Sequence, residues 1–143
     1  MIVYSGGSYD LIHPGHLYVL RKCRELGDQV VVGLNTDDFI EEFKGHRPVQ
    51  SYLERAEILS ALRFVDRVVP NLGGADSRPV LEAVGPDIIA VGYDYWSPDD
   101  SKYCRQMGFD REWLAAHHIR LVYLDLHPGY SSTNIRRAAA RVA

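Results

Sequence analysis

The chain has 143 residues, is 46% hydrophobic and 24% charged, and carries a net charge of −3. That length holds one domain with a full core, and the composition is that of an ordinary globular protein. The mildly acidic balance argues against a general nucleic-acid or membrane-surface binder, and no run reaches the roughly 18 apolar residues of a membrane span.

Ile2–Ser5 is a short apolar run closed by Gly6-Gly7, which predicts a buried strand followed by a glycine turn. From Pro14 to Leu26 the residues Leu17, Leu20, Cys23 and Leu26 recur at helical spacing, with Gly27 as the stop. Val30–Leu34 predicts a second strand. Asn35-Thr36-Asp37-Asp38 then caps a short helix to about Phe43. A polar loop, KGHRPVQ over 44–50, leads to a helix over 51–64 with Leu53, Ala56, Ile58, Leu59 and Leu62 inward. Arg67–Val69 predicts a strand ended by Pro70, Pro79–Val84 a helix, and Ile88–Val91 a strand ended by Gly92. An aromatic and acidic loop over 93–101 precedes helical stretches to about His117. Ile119–Leu124 is the last strand, and Ser131-Ser132-Thr133 caps a final helix.

Five short apolar strands alternating with helices, without repeats or linkers, predict one domain over 1–143. Its fold class is α/β, a three-layer Rossmann-like domain with a five-stranded parallel sheet. The two cysteines, Cys23 and Cys104, form no C-x-x-C and read as structural thiols in a reducing compartment. The chain opens on a strand pattern with no signal peptide, so a cytoplasmic protein is expected.

In such sheets ligands bind beyond the carboxyl ends of the strands. Gly7, Ser8, Asp10, His13 and His16 follow the first strand, and Asn35, Thr36 and Asp37 the second. Gly92, Tyr93 and Asp94 follow the fourth; His127, Gly129 and the 131–133 cap follow the fifth. Glycines allow close backbone approach, and helix starts favour anions, so a phosphate-rich ligand is implied. Neither G-x-G-x-x-G nor G-x-x-x-x-G-K-[ST] is present. Three readings stand for His13 and His16: a metal pair, a cap on the turn, or donors to a phosphoryl group whose charge grows in a transition state.

These residues also carry a resemblance. GSYDLIHPGH (7–16) resembles the G-x-F-D-x-x-H-x-G-H signature of the HxGH nucleotidyltransferases, with Tyr9 in place of phenylalanine. RFVDRVVP (63–70) resembles a segment of glycerol-3-phosphate and phosphocholine cytidylyltransferases, and SSTNIR (131–136) the family's S-T-T-x-I motif. KGHRPV (44–49), PDIIAVGYDY (86–95) and TNI (133–135) are similar to heptose-1-phosphate adenylyltransferases and archaeal flavin adenylyltransferases. Leu126 stands where the small cytidylyltransferases carry an arginine.

The resemblance implies attack by an acceptor phosphate on the α-phosphate of a nucleoside triphosphate, with pyrophosphate leaving. His13, His16 and Lys44 would be catalytic. Gly7, Ser8, Tyr9, Asp10, Gly15, Gly92, Asp94, Ser131, Ser132 and Thr133 would bind nucleotide. Asp37, Arg63, Tyr95 and Trp96 would meet the acceptor. Mg²⁺ would be held mainly through nucleotide phosphates, with Asp10 the one candidate protein ligand. The expected reaction is CMP transfer from CTP to a small phosphorylated alcohol such as glycerol 3-phosphate. Its first alternative is ATP with a sugar 1-phosphate or flavin nucleotide; its second is a nucleotide-binding module without catalysis. The resemblance also implies a homodimer, with no nucleic-acid or membrane partner. The 96–113 stretch is longer than in small cytidylyltransferases and would cover the acceptor pocket.

Overall fold

The computed structural model describes residues 1–125. It contains β1 (Ile2–Gly7), α1 (Pro14–Leu26), β2 (Gln29–Asn35), α2 (Asp37–Lys44), α3 (Tyr52–Ser60) and β3 (Arg67–Asn71). These are followed by α4 (Arg78–Val84), β4 (Ile88–Gly92), α5 (Ser101–Met107), α6 (Arg111–Ala116) and β5 (Arg120–Leu124), with a 3₁₀ turn at Tyr93–Tyr95. The five strands form one sheet in the order β3-β2-β1-β4-β5, every pair parallel. The expected three-layer α/β fold is therefore present. The chain runs outward from β1 to β3, then crosses back to β4, so the switch point lies between β1 and β4.

The inner strands are largely apolar because both faces are covered. On one face Val3, Val30, Val32, Ile88 and Ala90 pack with Leu20 and Cys23 of α1 and Leu59 of α3. On the other, Tyr4, Val31, Ile89 and Val91 pack with Leu81 of α4, Tyr103 of α5 and Leu114 of α6. Cys23 and Cys104 are free and buried; burial pushes the Cys23 thiol up to about 12. Among the described residues no helix is long and apolar enough to cross a membrane.

Two local expectations need correction. Residue 53 was expected inward, yet Leu53 is 78% exposed, and α3 ends at Ser60 rather than 64. Its buried positions are Arg55 and Leu59, one turn apart; Leu59, Ala56 and Leu62 pack on the core as expected, and of the expected set Leu53 alone is exposed. Pro70 does not end β3 but lies inside it, paired with Leu34. That is admissible because β3 is an edge strand.

One packing constraint shapes the carboxyl end of the sheet. The Tyr4 ring lies along the sheet over Gly6 and Gly33, and a Cβ built on Gly33 would stand 1.8 Å from the phenolic oxygen. Gly33→Ala is expected to lower stability by about 1–3 kcal/mol, the range for overpacking a core. Thermal unfolding should show the loss in the single variant, with partial recovery in Gly33→Ala/Tyr4→Leu.

Candidate active site

The turn between β1 and α1 is held in an unusual shape. Tyr9 and Leu11 both have positive φ (49° and 52°), a region non-glycine residues enter only when their surroundings impose it. Here they do. Asp10 accepts from the Val49 and Gln50 amides at 2.8 and 3.0 Å, and the Leu11 amide donates back to Gln50 Oε1 at 3.1 Å. The Tyr9 hydroxyl meets Ser5 Oγ at 2.6 Å. Asp10 thus fastens the turn to the 44–50 loop.

Both histidines close the start of α1. His13 is the N-cap, its Nδ1 accepting from the Gly15 amide at 3.0 Å; His16 Nδ1 accepts from the His13 amide at 3.2 Å. The rings stand 3.9 Å apart. Capping and phosphate contact are therefore compatible, because the caps use only Nδ1. In each neutral ring the proton must then sit on Nε2, leaving that atom as a donor. Burial lowers the His13 pKa. Burial, together with His13 and Lys44, lowers that of His16 to about 4 against the pull of Asp10. Both imidazoles are neutral at pH 7. Among the described residues no group of three or more His, Cys, Asp or Glu is arranged to hold a metal ion.

Behind the turn lies Arg55, fully buried on α3. Its Nε donates to Gln50 O at 3.0 Å, its Nη1 to Ser8 O and Asn35 O at 2.7 and 2.9 Å, and its Nη2 to Asp37 Oδ1 at 2.7 Å. One side chain thus ties together the turn after β1, the end of β2, the start of α2 and the 44–50 loop.

A cavity of about 370 Å³ opens at the carboxyl ends of β1, β2 and β4. Of the residues singled out from the sequence it brings together Gly7, Ser8, Tyr9, Asp10, His16, Lys44, Gly92, Asp94 and Tyr95. His13 stacks behind His16, and the Gly15 amide serves the His13 cap. Lys44 ends α2 with its Nζ 5.5 Å from the Phe43 ring centre. Met107 and Tyr103 of α5 complete the wall, so the 96–113 stretch does border the cavity.

Three expected residues stand elsewhere. Arg63 is exposed and precedes β3, which puts it at the amino end of the sheet, opposite the cavity. Nor does it pair with Asp66, which is held by Arg24 and the Val30 amide, each at 2.7 Å. Asp37 neither caps α2, a role taken by Thr36, nor lines the cavity; it is the counterion of Arg55. Trp96 lies outside the lining because the 3₁₀ turn directs it onto Tyr93, with the rings 5.8 Å apart and nearly parallel. Ser131, Ser132, Thr133, Leu126 and Arg136 lie outside the described residues.

The sequence reading missed Arg55, Asn71 and Tyr4. Arg55 carried a faint signal, since it precedes Leu59 by four residues and shares its helix face. Asn71 was hidden because the strand was ended at Val69. Tyr4 was counted as core, which it is, although its ring also borders the cavity.

A neutral-histidine helix start beside a lysine stands at the switch point of a parallel sheet, the place where ligands bind in folds of this kind. The chain belongs to the cytidylyltransferase-like family, whose model matches residues 4–138. It is 36% identical to the FAD synthase of Pyrococcus horikoshii over 85% of this chain and 80% of that protein. It is 45% identical to the FAD synthase of Thermococcus sibiricus over 64% of this chain and 62% of that one. The bifunctional protein HldE of Citrifermentans bemidjiense is 47% identical over 66% of this chain, which spans only 19% of that longer protein. Among solved structures, a lipopolysaccharide core biosynthesis protein from Thermoplasma volcanium matches with a TM-score of 0.69 at 26% identity, covering 89% of this chain and 96% of that one. The chain is thus a nucleotidyltransferase-family protein.

Arg55→Met should cost about 3–5 kcal/mol, because it leaves three carbonyls and the Asp37 carboxylate without their shared donor. Chemical denaturation of the two proteins tests this. A second expectation concerns acid. His16 has a folded pKa below its unfolded value, so its neutral form stabilises above about pH 6.5, and that stability is lost as pH falls toward about 4. The loss should reach at most about 3 kcal/mol, less for partial exposure. Denaturation midpoints between pH 7 and 4 should fall more steeply for the wild type than for His16→Asn.

Proposed function

We propose that the chain transfers AMP from ATP to a phosphorylated, hydroxylated acceptor and releases pyrophosphate. A flavin nucleotide is the leading acceptor and a sugar 1-phosphate the second. An acceptor phosphate oxygen bonds to the α-phosphorus as the bond to the bridging oxygen of pyrophosphate breaks. His16 Nε2–H, the Lys44 ammonium and the amides at the start of α1 would bear the charge that grows on the phosphoryl oxygens. Catalysis is then positioning plus electrostatics, with no covalent enzyme intermediate.

The observation that carries this reading is the lining of the cavity. Beside His16 and Lys44 its walls include Phe39, Tyr95, Tyr103 and Met107. A glycerol phosphate offers nothing for an aromatic wall, whereas a ring system does. The FAD synthase matches, which span most of this chain's length, support the adenylyl reading over the CMP transfer first expected. So does the position of Arg63, the residue that opened the cytidylyltransferase-like segment and stands away from the cavity.

The donor set suits a Mg²⁺ ion carried by the nucleotide. Asp10 accepts backbone amides at both oxygens, and no cluster of three ligating side chains stands among the described residues. Bound there, Mg²⁺ would neutralise triphosphate charge.

Pyrophosphate release measured with ATP and CTP against FMN, a hexose 1-phosphate and glycerol 3-phosphate tests the proposal. Turnover is expected with ATP and FMN or the sugar phosphate. Turnover with CTP and glycerol 3-phosphate alone would overturn it. His16→Ala should lower kcat about 10²–10³-fold with little change in the KM for ATP, as for loss of a donor used mainly in the transition state.

A further inference from the structure

Two polar side-chain oxygens on the α4–α5 face of the sheet make no hydrogen bond with the described residues. The first is the Tyr4 hydroxyl. Tyr4 is 1% exposed and borders the cavity, and burial alone raises its pKa. Its ring reaches this position only because Gly6 and Gly33 carry no side chain. The second is Asn71 Oδ1, at the end of β3. Asn71 is 6% exposed and also borders the cavity. Its amide orientation is fixed, because Nδ2 donates to Asn35 Oδ1 at 3.1 Å and to Gly74 O at 3.0 Å. Turning the amide over would set oxygen against both acceptors.

The two atoms belong to one place. Gly33, beneath the Tyr4 hydroxyl, pairs with Val69, and Asn71 follows two residues later on the same face. Sheet spacings put the Gly33 and Asn71 backbones about 8 Å apart. Both side chains project into that gap from the same face of the sheet. Asn71 Oδ1 can only accept, whereas the phenol can also donate. The pair therefore matches a ligand that offers an acceptor and a donor together, and an alcohol does so through a single oxygen. An apolar ring edge or a carboxylate would leave Asn71 unanswered.

We propose that Tyr4 Oη and Asn71 Oδ1 form a subsite for one hydroxyl of the acceptor, which accepts from the phenol and donates to the amide oxygen. This rests on the transfer reading above only for the name acceptor. The ligand class is a polyhydroxylated phosphate ester, with two sources: the ribityl chain of a flavin nucleotide or the ring of a sugar 1-phosphate. The pair would act on acceptor choice rather than on the reacting phosphorus, which lies toward His16 on the α1 side.

Titration calorimetry of FMN, of a hexose 1-phosphate and of ATP against the wild type and Tyr4→Phe tests the subsite. The variant removes one oxygen that bonds to none of the described residues, so its melting temperature should not fall. Its Kd for FMN or for the sugar phosphate should rise at least tenfold, while its Kd for ATP stays within twofold. The acceptor that loses affinity identifies the source of the hydroxyl. Equal acceptor affinities in the two proteins would overturn the subsite and leave a bridging water as the occupant. A loss confined to ATP, or a wild type that binds neither acceptor, would also overturn it. Failure of the transfer reading looks different: acceptor binding sensitive to Tyr4, with no pyrophosphate released from any triphosphate.

Discussion

The buried guanidinium of Arg55 is the constraint on which the rest of the site depends. A charge taken out of water is tolerated only when its donors are answered. Here three carbonyls and one carboxylate, from four separate segments, answer it. Because the guanidinium is planar and its donors are fixed in direction, those segments must converge with defined geometry. The left-handed backbone at Tyr9 and Leu11 persists because it is over-determined on both sides: Arg55 holds the carbonyl of Ser8, and the 49–50 amides hold Asp10.

That scaffold explains how two histidines act in a place where serine or aspartate is the commoner choice. A helix N-cap needs an acceptor, and imidazole offers one only through its unprotonated nitrogen. Capping through Nδ1 therefore selects the tautomer and aims Nε2–H away from the helix. The positive end of the α1 dipole and the buried neighbours both disfavour the imidazolium. From the two imidazoles a phosphoryl group at this helix start would meet N–H dipoles, with the full positive charge left to Lys44.

The architecture was legible because periodicity is global information. Five apolar runs, each followed by a glycine, a proline or a cap, admit few arrangements other than a parallel sheet, and its binding edge follows from that. What escaped was whatever depends on side-chain direction. Leu53 and Arg55 are two residues apart on one helix, and hydrophobicity alone chooses the leucine for the core. The fold chooses the arginine, because unpaired carbonyls wait on that side. Asp37 was read as a cap because it stands at a helix start, yet Thr36 takes the cap and leaves Asp37 to the guanidinium. Arg63 was assigned by likeness of its segment, and a segment carries no statement of which end of the sheet it occupies. Asn71 was lost to a general rule: proline ends strands in the interior of sheets but not at their margins.

Pro70 has a consequence beyond its own strand. An outer strand exposes a row of amide donors that invites another chain to extend the sheet. At Pro70 that row is broken, since proline brings no N–H and is admitted to an edge strand with that side turned to the outside. Growth of the sheet beyond β3 would leave a gap in the ladder at the position next to Asn71. The same residue that keeps this margin from templating aggregation also keeps any neighbouring backbone from annealing beside the mouth of the cavity.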